Sequence, residues 1–177
     1  MIYYTGIGSR TTPEDILVKI DCYAMLFAMA KKWTLRSGGA DGADAAFEKG
    51  CTDVKGRKEI YLPWRGFNGN ASPLFDIPDA AFELSAKYHP AWNRLTTPVK
   101  RLMARNAQQV LGENLDTPST FVVCWTPDGC TNHASRTQAT GGTGQAISIA
   151  SEHGIPVINL QTEDAHARLG YIIKELI

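Results

Sequence analysis

The stretch Ser37-Gly-Gly-Ala-Asp-Gly-Ala-Asp44 follows the short β-prone segment Trp33–Ser37 and precedes a helical pattern that begins at Ala43. It places three glycines and two aspartates within eight residues. Glycine in such numbers costs backbone entropy and adds nothing to a hydrophobic core. Either the chain turns sharply here, or its backbone comes close to something that is not protein. The stretch therefore marks a junction between a strand and a helix.

The rest of the chain repeats this order of strand, turn and helix. Apolar runs predict strands at 1–5, 33–37, 58–62, 120–125 and 155–160, and helical spacing predicts helices at 12–32, 43–49, 79–88, 98–111, 144–153 and 163–177. Alternating strands and helices are typical of a parallel sheet covered on both faces. We therefore predict an α/β fold, with an open, mainly parallel sheet flanked by helices, in one domain spanning 1–177.

Local signals place several element boundaries. Thr12 is the predicted N-cap of the first helix, with Pro13 in its first position. Gly50 is the predicted C-cap of the second helix. The run Thr120-Phe-Val-Val-Cys-Trp125 is continuous and rich in β-branched residues, which predicts a strand buried on both faces.

Composition narrows the class of protein. The 18 basic and 18 acidic side chains cancel, which argues against bulk electrostatic attraction to nucleic acid or to an anionic membrane. The apolar segment 16–30 is too short to span a bilayer and is interrupted by Lys19 and Asp21, so no membrane partner is expected. The four cysteines form no CxxC pair, which indicates reduced thiols and a cytoplasmic protein. Cys130 and His133 lack a second ligand pair, so we predict no metal and no cofactor.

Three glycine-rich turns occupy the same place, between the end of a strand and the start of a helix. They are 6–10 (GIGSR), 37–42 (SGGADG) and 141–144 (GGTG). The ends of parallel strands meet at one crevice, where glycine lets the backbone approach a phosphate and helix N-termini attract anions. A single turn of this kind is as typical of an ordinary tight strand-to-helix connection as of a binding site. The candidate binding residues for a nucleotide-like ligand are Gly8, Ser9, Arg10, Ser37, Gly38, Gly39, Asp41, Asp44, Gly141, Gly142, Thr143, Gly144 and Gln145.

The acidic residues after the second turn need a separate explanation. Asp41 either caps the following helix or contacts ligand. Asp44 and Glu48 lie four residues apart on one helix face, where a carboxylate can hydrogen-bond ribose hydroxyls. For Glu48 the alternative is an ordinary solvated face. In the polar loop 126–142, His133 and Arg136 are candidate lid contacts.

A predicted helix carries a cluster of basic side chains. Lys100, Arg101 and Arg105 lie on it, and they either hold a phosphate or a DNA backbone or form a solvated face. Asn106 and Gln108 on the same helix are candidates for reading a base edge.

The three turns together resemble the SMF/DprA–LOG (SLOG) superfamily. GIGSR is similar to that family's opening turn, SGGADGAD to its second, and the segment Thr140–Leu160 to its closing turn, helix and strand. The resemblance covers Met1 to about Leu160, without accounting for 63–111. It is strongest to stand-alone, DprA-like members often encoded by phages and bacteria. It implies a modified Rossmann-type fold that binds nucleotides or nucleotide-derived ligands.

Members of this superfamily differ in function, so the resemblance implies three alternatives. Some sense signalling nucleotides, Lonely Guy enzymes cleave the N-glycosidic bond of nucleoside monophosphates, and DNA-processing protein A binds single-stranded DNA and loads a recombinase. The resemblance favours a sensor or sequestering protein. Related folds commonly assemble through helices, and the apolar helix 16–30 offers a surface for a homo-oligomer.

The closing turn departs from the Lonely Guy pattern at the catalytic position. That pattern is Pro-Gly-Gly-x-Gly-Thr-x-x-Glu, and Ser148 stands here in place of its glutamate. Glycoside cleavage needs a carboxylate beside the anomeric carbon. Asp44, Glu48 and Asp128 are the weak substitutes, so the sequence leaves open whether the protein is an enzyme.

Overall fold

A parallel β-sheet forms the centre of the computed structural model, which describes residues 1–176. Within that range its five strands are β1 (Tyr3–Gly8), β2 (Thr34–Ser37), β3 (Lys58–Ile60), β4 (Phe121–Trp125) and β5 (Val157–Asn159). They lie in the order β3-β2-β1-β4-β5, and every neighbouring pair is parallel. The predicted α/β class with an open parallel sheet is confirmed.

Helices cover both faces of the sheet. In the described chain these are α1 (Glu14–Ala30), α2 (Ala43–Asp53), α3 (Asp79–Tyr88), α4 (Thr97–Leu111), α5 (Thr143–Glu152) and α6 (Ala165–Glu175), with short 3₁₀ turns at Phe67–Gly69 and Trp92–Arg94. One core cluster joins α1, α2 and α6 to the first face. A second cluster joins α3, α4 and α5 to the opposite face. The molecule is therefore a three-layered, Rossmann-like α/β fold.

The strand β4 shows why this sequence forms a central strand. All five of its residues are buried. Val123 faces the first core cluster, whereas Val122 and Cys124 face the second. Because successive side chains point to opposite faces, a strand covered on both sides needs a continuous apolar run.

The chain adds strands to the sheet on both sides of β1. From β1 it adds β2 and β3 on one side, then crosses back to place β4 on the other side. Gly8 and Trp125 are paired at the carboxyl ends of the two strands. In open α/β sheets the connections diverge at this switch point and leave a crevice where ligands bind.

Two predicted helix caps are wrong, for different reasons. Helix α1 begins at Glu14 and its N-cap residue is Pro13. Thr12 instead donates its hydroxyl to the carbonyl oxygen of Ser9 at 2.7 Å, which ties it to the first glycine turn. Helix α2 continues through Gly50 to Asp53. A Cβ atom at Gly50 would overlap the backbone carbonyl oxygen of Asp21, so glycine is needed there for close packing of α1 on α2.

The remaining boundaries differ by a few residues. The strands predicted at 58–62 and 155–160 are shorter, and the last helix begins at Ala165 rather than at 163. Ile177, the predicted end of that helix, lies outside the described residues. None of the helices in residues 1–176 has the length and apolar character needed to cross a membrane.

Replacing Gly50 with alanine tests the close approach of α1 and α2. The added methyl group has to displace the backbone of α1, so Gly50→Ala should lower the free energy of unfolding by about 1–3 kcal/mol. Gly170→Ala is the matched control, because this glycine of α6 has open space at its Cβ position. Alanine there should stabilise the protein by up to about 1 kcal/mol. Urea unfolding of both variants measures the difference, and equal midpoints would contradict the packing argument.

Candidate functional site

A cleft of about 360 Å³ opens at the carboxyl ends of β1 and β4. It lies at the switch point of the sheet, between α4 and the start of α5. Its walls come from all three glycine turns and from one side of α4. Its lining includes Ile7, Gly8, Ser9, Arg10, Ala40, Asp44, Leu102, Met103, Arg105, Asn106, Gln109, Thr140, Gly141, Gly142 and Thr143.

The first turn runs along the cleft because β1 packs tightly against α2. A Cβ atom at Gly8 would lie 2.7 Å from the Cβ of Ala43 and 2.9 Å from the carbonyl oxygen of Trp125. The backbone N–H of Ser9 donates to that same carbonyl at 3.1 Å. These contacts fix the position of Arg10, which is exposed and lines the cleft.

The glycines of the second turn make room for protein. A Cβ atom at Gly38 would overlap the guanidinium of Arg105. Gly42 has a positive φ of 80°, and its Cβ position lies 2.6 Å from the carbonyl oxygen of Ser9. The immediate reason for glycine at both positions is therefore close packing against Arg105 and against the first turn.

Asp44 is buried beneath the first turn. Its Oδ1 accepts a hydrogen bond from the backbone N–H of Gly8 at 3.2 Å, and its Oδ2 lies 3.8 Å from Nη1 of Arg105. Burial raises the pKa of Asp44 to about 6, against the opposing effects of Arg105 and of the backbone N–H groups of Gly8, Ala40 and Gly38. Burial also disfavours the charged form of Arg105, which for a guanidinium lowers the pKa.

Arg105 and Asn106 connect the second turn to the third. Nη1 of Arg105 donates to Oδ1 of Asn106 at 3.2 Å, and Nδ2 of Asn106 donates to the carbonyl oxygen of Gly142 at 3.2 Å. The alternative prediction, that Arg105 lies on a solvated helix face, is wrong, because this residue is only 5% exposed. Its neighbours on α4 are engaged elsewhere: Arg101 donates to the carbonyl oxygen of Pro63, and Lys100 lies over the ring of Trp92.

The third turn is fixed by a carboxylate in the loop before it. Asp128 accepts hydrogen bonds from the hydroxyls of Thr126 at 2.8 Å, Thr137 at 2.6 Å and Thr140 at 2.5 Å. Partial burial raises the pKa of Asp128, but the hydrogen bonds from the three hydroxyls and from the backbone N–H of Cys130 together lower it by more, so the net shift is downward. Thr140 is thereby held beside Gly141, which has a φ of 63° and open space at its Cβ position.

Two side chains on the cleft wall carry polar atoms without partners. Nε of Arg105 and both amide atoms of Gln109 are buried and have no hydrogen-bond partner among residues 1–176. Gln109 is 1% exposed. Buried polar groups are normally hydrogen-bonded, so an unpartnered pair beside a cleft is typical of a site that binds a polar ligand.

Several predicted site residues lie outside the cleft lining. The hydroxyl of Ser37 donates to the carbonyl oxygen of Gly6, and Nε2 of Gln145 donates to the carbonyl oxygen of Ser85. The remaining residues of this group are Gly38, which packs against Arg105, Gly39, which packs near Leu62, the exposed Asp41, and Gly144, which lies beneath Arg136.

The two candidate lid residues hold the loop 126–142 onto the helices. Nδ1 of His133 lies 2.9 Å from Oγ of Ser148, which is fully buried. Nη1 of Arg136 donates to the carbonyl oxygen of Tyr88 at 3.2 Å and to Ser148 at 3.3 Å. Neither of the two lines the cleft.

Glu48 lies one helical turn after Asp44 on α2 and outside the cleft lining. It forms an ion pair with Lys58 at 2.8 Å and accepts a hydrogen bond from Asn70. Of the two carboxylates weighed on this helix, the structure brings only Asp44 to the cleft.

Sequence reasoning missed Gln109, Leu102 and Met103 as cleft residues. Gln109 follows Arg105 by four residues, so the two share one helix face, and this spacing was the available signal. Gln108, the candidate that the sequence suggests on this helix, donates to the carbonyl oxygens of Asp76 and Glu113.

The described part of the chain contains no group of three or more His, Cys, Asp or Glu side chains arranged to hold a metal ion. Comparisons with protein-family models, curated proteins and solved structures found no significant match.

Asp44→Asn tests the burial of this carboxyl group. Its pKa is higher in the folded protein than in the unfolded chain, so the folded state holds a proton that the unfolded chain has released. Stability attributable to Asp44 is therefore lost as the pH rises from about 4 to about 6. The free energy of unfolding of the wild type should fall relative to Asp44→Asn by on the order of 3 kcal/mol between pH 4 and pH 7.

Urea titrations of both proteins at several pH values measure this difference. A constant offset from losing the contact to Arg105 cancels when the two pH profiles are compared. Parallel profiles would mean that Asp44 ionises as it does in the unfolded chain.

Proposed function

We propose that the protein binds a nucleotide or nucleotide-derived phosphate ligand in the cleft and acts as a sensor or sequestering protein. The observation that carries the proposal is the excess of positive charge. Arg10 and Arg105 line one cleft, and the proximity of Arg10 contributes to the lowered pKa of Arg105. Arg10 has no ion-pair partner in residues 1–176, and Arg105 has one carboxylate at 3.8 Å. Asp44 offsets the charge of Arg105, so Arg10 leaves the cleft with an excess of positive charge, which favours an anionic ligand.

The third turn suits the phosphate of such a ligand. Gly141 leaves open space where a side chain would stand, and α5 begins at Thr143. The backbone N–H groups of Gly144 and Gln145 donate to the carbonyl oxygens of Gly141 and Gly142. The N–H groups of Gly142 and Thr143 have no acceptor among residues 1–176, and at the start of a helix they carry a partial positive charge. Asp128 holds this turn through Thr140, so its geometry is set before any ligand arrives. Preorganised donors of this kind are typical of phosphate sites.

The remaining cleft surface suits a ribose or base. Ile7, Leu102 and Met103 form its apolar part. The buried amide of Gln109 carries a donor and an acceptor without partners among residues 1–176, and these groups could pair with the edge of a nucleobase only after the side chain turns toward the cleft. The volume of about 360 Å³ lies at the small end of the range for small-molecule sites, which favours one nucleotide over a dinucleotide. This reading agrees with the resemblance to the SLOG superfamily and with a DprA-like assignment inside it, which we retain as part of the proposal.

The N-glycosidase alternative depends on Asp44. Among the described residues that line the cleft it is the only carboxylate, and its pKa of about 6 suits a group that exchanges protons near neutral pH. Its oxygens face backbone N–H groups and Arg105, however, which is the arrangement of a structural carboxylate. Release of free base from a nucleoside monophosphate, abolished by Asp44→Asn, would establish this activity.

Single-stranded DNA is the less supported ligand. Backbone binding needs a row of free cations along a groove. Arg105 is buried, and Arg101 and Lys100 are engaged away from the cleft.

A thermal-shift screen tests the proposal directly. The panel contains nucleoside mono-, di- and triphosphates, cyclic nucleotides, ADP-ribose variants and short single-stranded DNA, and chromatography of each sample detects released base. Stabilisation by a nucleotide without base release is the expected result. A screen with no stabilisation at millimolar ligand would overturn the proposal.

Arg10→Gln should weaken binding of the tightest nucleotide in this panel by about 10- to 100-fold, because a hydrogen bond to a charged group contributes about 1.5–3 kcal/mol. The side chain is exposed, so the variant should fold normally. Arg65→Gln removes the same charge from an exposed position outside the cleft and should leave affinity unchanged. Isothermal titration calorimetry compares the two, and equal affinities would remove Arg10 from the site.

A further inference from the structure

The solvent-facing side of α1 carries a stripe of apolar side chains. Its opposite side packs on the sheet through Ile16, Ile20, Ala24, Phe27 and Ala28. The outward side carries Val18, Cys22, Met25, Leu26 and Met29, which we call the outer stripe. Val18 is 55% exposed, Leu26 42% and Met29 57%. Lys19 is exposed beside this stripe, and no side chain among residues 1–176 covers it. A contiguous exposed apolar patch of this kind marks an interaction surface.

The spacing of the stripe fits a second helix. Its members at 18, 22, 25 and 29 are separated by four, three and four residues. This spacing keeps a seam on one side of a helix and lets the side chains interlock with those of a neighbouring helix.

The charges at the two ends of α1 select the partner. Glu14 and Asp15 stand in its first turn, while Lys31 and Lys32 follow its last residue. Two copies of α1 in antiparallel orientation bring the acidic end of each against the basic end of the other. Their macrodipoles then also oppose. With the two-fold axis between residues 23 and 24, Val18 faces Met29 of the second copy.

We propose that this chain forms a two-fold symmetric dimer through antiparallel packing of α1 against α1 of a second copy. A membrane surface fits less well, because helices that lie on membranes carry basic side chains along the polar face and not an acidic pair at one end. The proposal is independent of the ligand in the cleft, since α1 contributes none of the cleft lining.

The native protein already contains a reporter for this arrangement. Among the cysteines, which all lie within residues 1–176, Cys22 is the exposed one and the other three are buried. In the antiparallel dimer the two copies of Cys22 lie on either side of the two-fold axis. A short bismaleimide should therefore cross-link the native protein into a dimer, and Cys22→Ser should abolish the product. Light scattering that gives the 19.4 kDa mass of one chain at every concentration would overturn the proposal.

Charge exchange tests the antiparallel orientation. The double variants Glu14→Lys/Asp15→Lys and Lys31→Glu/Lys32→Glu should each dimerise more weakly than wild type, because like charges then meet at both ends. An equal mixture of the two should form a heterodimer, since every contact is again between opposite charges. Failure of the mixture to associate would contradict the antiparallel arrangement.

Val18→Glu tests the stripe itself. A buried unpaired carboxylate should weaken dimerisation by about tenfold or more. Trp64→Glu places the same charge on an exposed apolar residue outside α1 and should leave the dimer intact. Circular dichroism checks that both variants are folded. A Val18→Glu protein that dimerises like wild type, or a monomeric wild type that binds phosphatidylserine vesicles through α1, would overturn the proposal.

Discussion

The candidate site depends on the contacts that the guanidinium of Arg105 makes. It lies against the backbone of Gly38, 3.8 Å from a carboxylate oxygen of Asp44, and donates to Asn106, which in turn holds the third glycine turn at Gly142. One side chain from α4 thus links two turns that are about a hundred residues apart in the sequence. The cleft is what remains between these turns once they are fixed.

A buried ion pair of this kind is a costly way to hold a fold together. Desolvation of the two charges offsets much of their attraction, and an apolar pair of similar volume is often as stable. Here the pair is also incompletely satisfied, because Nε of Arg105 and the amide of Gln109 beside it lack partners within the described chain. An arrangement that costs stability and leaves polar atoms free is typical of a functional site. The apolar sheet, rather than this pair, supplies the stability.

The sequence predicted the sheet and the helices because their signals are local. An apolar run such as 121–125 and the helical spacing of 16–28 each lie within one element. The roles of Gly38, Gly50 and Arg105 could not be predicted in this way, because each depends on contacts with another element. Arg105 and Arg101 lie one turn apart, and only the packing of α4 on the sheet buries the first and leaves the second at the rim. Similarly, the glycine turns marked the location of the cleft, but most of their glycines serve protein packing.

The cleft and the outer stripe of α1 are separate in the fold. The cleft opens at the carboxyl edge of the sheet and takes its charged wall from α4, which covers the second face. Helix α1 covers the first face and exposes its stripe away from the sheet. Dimerisation through α1 therefore leaves both clefts open, on a molecule whose two sites are related by the two-fold axis. Because no side chain of α1 reaches the cleft, a ligand can then affect assembly through the sheet or through the segment 10–13, which joins the first turn to α1. Binding and assembly are consequently expected to be thermodynamically independent unless the sheet or this connecting segment changes shape.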